Sequence, residues 1–290
     1  MGKRMVWIKS IGVAFALVVL VIAGLSAYGM ERWERTTREL TARLDAARAP
    51  LAAKRFDANE LDGLPAPVQR YFRAALKSGQ PLVGAASFSH TGTFNSSATA
   101  ESWSPFRSTQ RVVVNRPGFV WDARIAILPG IAVHVHDAYV TGDGLLHAAV
   151  LGVFTVADQR GSAELARGEL LRFLAETAWY PTALLPSQGV RWSPIDERSA
   201  RAAFDDGALH LALTFTFSAD GFIDTVRADA RARTVGDHNE MLPWEGRFWN
   251  YVERDGMKIP LDGEVAWLTP AGRKPYWRGT IETIVYEFER

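Results

Sequence analysis

The sequence predicts an α+β protein: an N-terminal transmembrane helix, then one domain built on a large, curved, half-barrel-like antiparallel sheet covered by helices. Three observations lead there. Residues 10–30 form an apolar run without a single charge. Beyond residue 86, strand-like stretches alternate with Gly-, Pro- and Asp-bearing turns about every 12 to 16 residues, a spacing of hairpins and not of βαβ crossovers. Between two such series lies one convincing amphipathic helix, residues 164–180.

The apolar run comes first in the chain. Its 21 residues suffice to cross about 30 Å of hydrocarbon at about 1.5 Å per residue. A cleaved signal peptide is the rival reading, but its apolar region is shorter, about 7 to 15 residues, and no small-x-small site closes this one. We therefore expect an uncleaved signal anchor, with residues 1–9, including Lys3, Arg4 and Lys9, cytoplasmic and the bulk of the chain extracytoplasmic. The expected location is the cytoplasmic (inner) membrane, in a single pass.

Residues 31–57 read as a helical stalk. Trp33, Thr37, Leu40, Leu44, Ala47 and Leu51 make a seam that serves either a coiled coil or packing on the protein's own domain or the membrane surface. The domain itself then occupies residues 58–290. Pro65 and Pro67 open a short helix bearing Val68, Tyr71, Phe72 and Leu76, ended by Gly79 and Pro81.

In the first series of strands, Phe119, Trp121, Ala123 and Ile125 alternate with Asp122 and Arg124, and Val133, Val135 and Tyr139 share a face. Residues 145–155 follow as one more strand after the turn at Thr141 to Gly144. His134 and His136 point the same way and Asp137 the opposite way, and the sequence leaves open whether the register brings His147 across the hairpin. A polar outer face explains the histidines better than a metal site, and none is expected.

The helix carries Leu170, Phe173 and Leu174 on its apolar side. Glu169, Arg172 and Glu176 lie on the other, where we expect a solvated charged face. Ser162 suits the N-cap and Pro181 the stop. The second series contains the clean apolar row Leu209, Leu211, Leu213, Phe215 and Phe217. On the next strand Val226, Ala228, Ala230 and Ala232 face one way, with Arg227, Asp229, Arg231 and Arg233 opposite. Trp244 and Phe248 follow among many aromatics, and Glu245 and Arg247 read as a cross-strand ion pair.

Composition narrows the function. A chain of 290 residues, 48% of them hydrophobic, buries one large core or two ordinary ones. Net charge +1 without a Lys/Arg stripe argues against a nucleic-acid partner. With no cysteine, disulfides, thiolate catalysis and cysteine-held metals are excluded. Eight of ten tryptophans lie beyond Ala100. No G-x-S-x-G, H-E-x-x-H, P-loop or S-x-x-K with K-T-G occurs, so no cofactor is expected and whether the protein is an enzyme is left open.

The segments at 121–125, 164–192, 243–267 and 275–288 resemble a bacterial family of membrane-anchored proteins of unknown function, over about residues 61–288. More loosely, the sheet–helix–sheet order, residues 205–233 and the phrase MKIPLDGEVAW look like the lipoprotein-carrier half-barrels. That resemblance implies a curved sheet, covered by helices, that holds acyl chains.

Together these readings predict a membrane-tethered module that binds a lipid or another hydrophobic ligand between sheet and helix. The residues expected to line the site are Leu170, Phe173, Leu174, Trp179, Tyr180, Val226, Ala228, Ala230, Trp244 and Phe248. A helix that stands off the alanine row is a lid over a pocket; one that fills it is core, and the protein a scaffold for an envelope protein partner. The first is the expectation. An envelope hydrolase ranks third, to be favoured by a buried, strongly perturbed carboxylate in a cleft.

Overall fold

The computed structural model describes residues 2–289 except 53, 98–100 and 236–237, and describes the side chains of these apart from 2–11, 15, 18 and 235. Lys3, Arg4 and Lys9 thus lie outside the described side chains. Three α-helices are present, α1 (Gly2–Ala47), α2 (Ala66–Ala75) and α3 (Ala163–Ala175). The strands are β1 (Val83–Asn95), β2 (Trp103–Val113), β3 (Gly118–Leu128), β4 (Ile131–Val140), β5 (Asp143–Val150), β6 (Phe154–Arg160), β7 (Arg191–Pro194), β8 (Ser199–Asp206), β9 (Leu209–Phe217), β10 (Ile223–Val235), β11 (His238–Arg254), β12 (Met257–Thr269) and β13 (Gly272–Phe288).

All thirteen strands form one antiparallel sheet in the order β6-β5-β4-β3-β2-β1-β13-β12-β11-β10-β9-β8-β7. Residues 145–155 are not one strand: Leu151 (φ 54°) and Gly152 (φ 68°) turn the chain there and split it into β5 and β6. Other hairpins are as tight as their sequences suggest. Asp255 (φ 48°) and Gly256 (φ 82°) supply the two positive φ angles that a two-residue turn between β11 and β12 demands.

The topology explains the curvature. Two meanders, β1–β6 and β7–β13, join where the first strand pairs with the last, Phe88 opposite Ile284 and Gly92 opposite Gly279. The segment that links the free edges β6 and β7 contains α3, so the helix crosses the inner face. It packs on β4 and β5 at one side and on β9 and β10 at the other. The main core fills this half-barrel and draws in Val68, Tyr71 and Phe72 of α2, Leu170, Phe173 and Leu174 of α3, and the inward residues of both meanders. The helix ends at Ala175, five residues earlier than expected. 3-10 turns at Glu176–Trp179 and Pro181–Leu184 follow, and Tyr180 donates from its hydroxyl to the Phe173 carbonyl at 2.8 Å.

The outer face holds a second, smaller core. Leu40 and Leu44 of α1 pack on Ala85, Val113, Val120, Ala138 and Val140, so the stalk seam is spent on the protein's own sheet. Arg48 to Glu287 and Glu289, and Arg111 to Asp45 and Glu287, fasten the end of the helix. His134 and His136 do lie on the outer face, but α1 buries them: Trp33 stacks on His136 with ring centres 4.0 Å apart. Upstream, α1 is the helix long and apolar enough to cross a membrane among the described residues.

A candidate ligand cleft

The inner face is where strand parity places unlike side chains together. Phe119 and Trp121 on β3 and Asp137 on β4 point inward, one residue out of step with His134 and His136. Trp244 and Phe248 on β11, and Trp277 on β13, point inward from the far meander. Gly246 and Gly263, in neighbouring strands, put no side chain between these rings; a Cβ at Gly263 would touch the Trp277 ring at 3.4 Å. The result is a cleft with about 80 Å³ of enclosed space, about 620 Å³ when its open mouth is counted. Aromatic rings of Phe94, Trp121, Trp179, Trp244, Phe248 and Trp277 supply most of its wall.

One flank is ionic. Arg172 of α3 donates from Nη1 to Asp137 at 2.5 Å and from Nε to Glu176 at 2.7 Å, while Gln110 donates to the second Glu176 oxygen at 2.6 Å. Its guanidinium lies 4.7 Å from the Phe119 ring centre and 5.1 Å from that of Trp121. Burial works against the Arg172 charge, but Glu176 and Asp137 outweigh it and hold the pKa above the ordinary arginine value. The expected solvated face is therefore wrong. Helical periodicity put these charges opposite the leucines, but here a sheet wraps the helix on both sides and leaves no face for water.

The same holds for Glu169, which is buried and paired with Arg231 of β10 at 3.1 Å. Burial, with the Asp137 carboxylate adding to it, pushes the Glu169 carboxyl well above the usual range. Arg231 was expected on the outer side of its strand. A bulge between Ala228 and Arg231 shifts the register by one, turning Arg231 inward and Ala230 out into solvent. The alanine row is thus broken. Gly168 of α3 leaves the room that Arg231 uses, its Cβ position lying 3.3 Å from Arg231 Nε, and the guanidinium sits 5.0 Å from the Trp244 ring centre.

Of the residues expected to line the site, Trp179, Trp244 and Phe248 do line the cleft. Leu170, Phe173, Leu174, Tyr180, Val226 and Ala228 are fully buried in the packed core, and Ala230 is exposed. So α3 fills the space over Ala228 and is core there, not the lid expected, and the cleft opens beside its C-terminal end, at Ala175 and Glu176. Phe94, Trp121, Asp137, Arg172, Tyr276 and Trp277 escaped the sequence reading. The alternation of β3 pointed Trp121 inward, but nothing local pairs it with strands 120 to 150 residues away.

At the mouth, Arg247 and Glu264 join a network. Glu245 accepts from Arg247 at 3.0 Å and from Arg273 at 2.9 Å, and Glu264 accepts from Arg278 at 2.5 Å and from Arg273. The Glu245–Arg247 pair runs along one strand, not across two as expected; Arg273 supplies the link between strands. Trp244 donates to the Tyr276 hydroxyl at 2.9 Å, whereas the buried indole N–H groups of Trp121 and Trp179 have no hydrogen-bond partner among the described residues.

Residues 62–286 match the model of a family of unknown function, DUF6920. The chain belongs to that family. Among curated proteins no relative matches. By structure the chain is similar to a LolA superfamily protein from Nitrosomonas europaea, at 10% identity and TM-score 0.39, covering 78% of this chain and 94% of that one. It is also similar to a beta-barrel-like protein of the domain of unknown function DUF1849 from Brucella abortus, at 10% identity and TM-score 0.23, covering 71% and 98% respectively.

Proposed function

We propose that this is a membrane-tethered, extracytoplasmic protein that holds a hydrophobic ligand, a lipid or acyl chain, in the cleft between the curved sheet and the end of α3. The observation that carries the reading is the wall itself, rich in aromatic rings from β1, β3, β11, β13 and the turn after α3 and open at one end. Apolar walls with a few fixed polar groups are the usual setting for small-molecule binding. The enclosed part takes only a short stretch of chain, so a longer one extends through the mouth.

The hydrolase reading gains less. Glu169 is buried and perturbed, but it is ion-paired behind the cleft and does not line it. Of the carboxylates that do line it, Asp137 and Glu176 are held by Arg172, and Glu264 by Arg273 and Arg278. Among the described residues no serine or threonine lines the cleft.

The test is photo-crosslinking of the full chain in nanodiscs containing a phospholipid with a diazirine in its acyl chain. Adducts on peptides bearing Trp121, Trp179, Trp244 or Trp277 are expected. Adducts confined to residues 10–30 would overturn the reading.

A further inference from the structure

We propose that the hairpin tips β3–β4 and β5–β6 dip into the bilayer surface, so that the domain docks on the membrane by one rim of its sheet. The proposal rests on the reading that residues 10–30 cross the membrane.

The strand registers place these tips. The β3–β4 turn joins Leu128 to Ile131, and the β5–β6 turn joins Val150 to Phe154. Both lie at the end of the sheet where Val133 pairs with Val150. Helix α1 leaves the sheet at this same end. Going back along it, Leu44 packs against Gly118 at the far end, Trp33 reaches Asp122 and His136 midway, and Gly29 meets the Leu151–Gly152 turn. The last contact is backbone to backbone: a Cβ on Gly29 would fall within 2.0 Å of the Leu151 carbonyl oxygen. No longer side chain fits there, so helix and turn are held at one level.

Immediately upstream, Tyr28 is exposed and the uncharged run begins. A helix continuous through Gly29 leaves no slack between span and sheet. The bilayer surface therefore lies at the level of the Leu151–Gly152 turn.

What the β3–β4 and β5–β6 tips present at that level is apolar. Leu128 is 62% exposed, Phe154 54% and Ile127 45%, and Val156 follows on the edge strand. Within one domain such side chains scattered singly need no explanation. Grouped on two adjacent tips beside the exit of an apolar helix, they fit a lipid surface. Arg32 and Arg35, about one and two turns above Gly29, sit at headgroup height.

The cleft shares this rim. Phe94 at the end of β1 pairs with Trp277 near the start of β13, and Trp277 pairs with Val265 near the end of β12. Those strand ends lie on the same side of the sheet as Leu128, because β2 carries Ser104 opposite Phe94 and Phe106 opposite Ile125. The mouth and the apolar tips thus face the membrane together, and a chain moves between bilayer and cleft without crossing bulk water.

Because the chain has no cysteine, single labels report on one position each. Leu128→Cys, Phe154→Cys and, as a control on the opposite rim, Val285→Cys are carried on the full chain, labelled with an environment-sensitive dye and placed in nanodiscs with spin-labelled phosphatidylcholine quenching just below the headgroups. Val285 is 63% exposed, so solvent access alone does not separate it from the other two. The expected result is at least twofold quenching at positions 128 and 154 and none at 285. Equal, unquenched signals at all three overturn the rim proposal and leave the anchor standing. Labels untouched by lipid yet shielded from aqueous iodide assign the patch to a protein partner and also overturn it. A chain that fails to co-elute with the nanodiscs overturns the proposal and the anchor together.

Discussion

Arg231 on β10 reaches the Glu169 carboxyl on α3 at 3.1 Å, both buried on the inner side of the half-barrel beside the Arg172–Asp137–Glu176 cluster. Removing one partner strands the other. Arg231→Met is expected to cost about 3 kcal/mol, towards the low end for a broken buried pair because Glu169 can take up a proton. Its carboxyl is raised in the fold above the unfolded value, so the protonated form is the one the fold favours. The parent shares that shift, so the deficit of the variant is smallest where Glu169 is protonated in both proteins and grows as pH rises through the elevated pKa. Urea titrations of the variant at pH 5 and pH 8 measure this. Adding Glu169→Leu should recover most of the loss; a double variant no better than the single one would refute the account.

Trp33 makes the attachment of α1 sensitive to acid. His134, His136 and His147 surround its ring, and the Thr37 hydroxyl lies 2.7 Å from His136 Nε2. Burial, then the other two histidines, lowers His136 to about 3, and burial also lowers His134 and His147. Each is depressed in the docked state, so its contribution is whole above about pH 6.5 and is lost as pH falls below that. Arg124, Arg160 and Arg32 act in the same direction. Asp122, 4.0 Å from His136 Nε2, and Asp158 oppose it. Between pH 6.5 and 5 the docking of α1 should weaken by up to about 2 kcal/mol for His136 alone. Hydrogen exchange over residues 31–47 at the two pH values reads it directly. His136→Gln should flatten the dependence.

Gly92 sits opposite Gly279 where the two meanders join. A Cβ there would fall 1.9 Å from the Arg278 carbonyl oxygen and 2.8 Å from the Gly279 Cα, both backbone atoms. Gly92→Ala should cost about 3 kcal/mol or more, since overpacking against backbone has no cheap relaxation. A melting temperature within about two degrees of the parent would show that the seam is looser than drawn.

Gly263 offers the converse. Its Cβ position meets the Trp277 ring and the Arg247 carbonyl at ordinary contact distances of 3.4 Å, and its φ is not positive. Gly263→Leu should fill the cleft while leaving the thermal midpoint little changed. Acyl-chain crosslinking to the Trp244 and Trp277 peptides should fall at least tenfold. Unchanged crosslinking would place the ligand elsewhere.

The sequence by itself determined the class of the fold. Alternation in Phe119–Ile125 and Leu209–Phe217 marked strands with one dry face, turn residues marked antiparallel connections, and the leucines of α3 marked the covering helix. These are local patterns, because a strand or helix is specified by the spacing of its own apolar residues. The tertiary structure decided everything that depends on what faces what. Whether Arg172, Glu176 and Glu169 meet water is fixed by a sheet that wraps α3 from both sides, not by the helix. That Arg231 points inward is fixed by a one-residue bulge that pairing with β11 creates, and a one-residue slip exchanges the faces of all that follows. The partner of the stalk seam, the rings that meet Trp121 and the rim by which α1 leaves all come from contacts between residues far apart in sequence. No period in the chain encodes those.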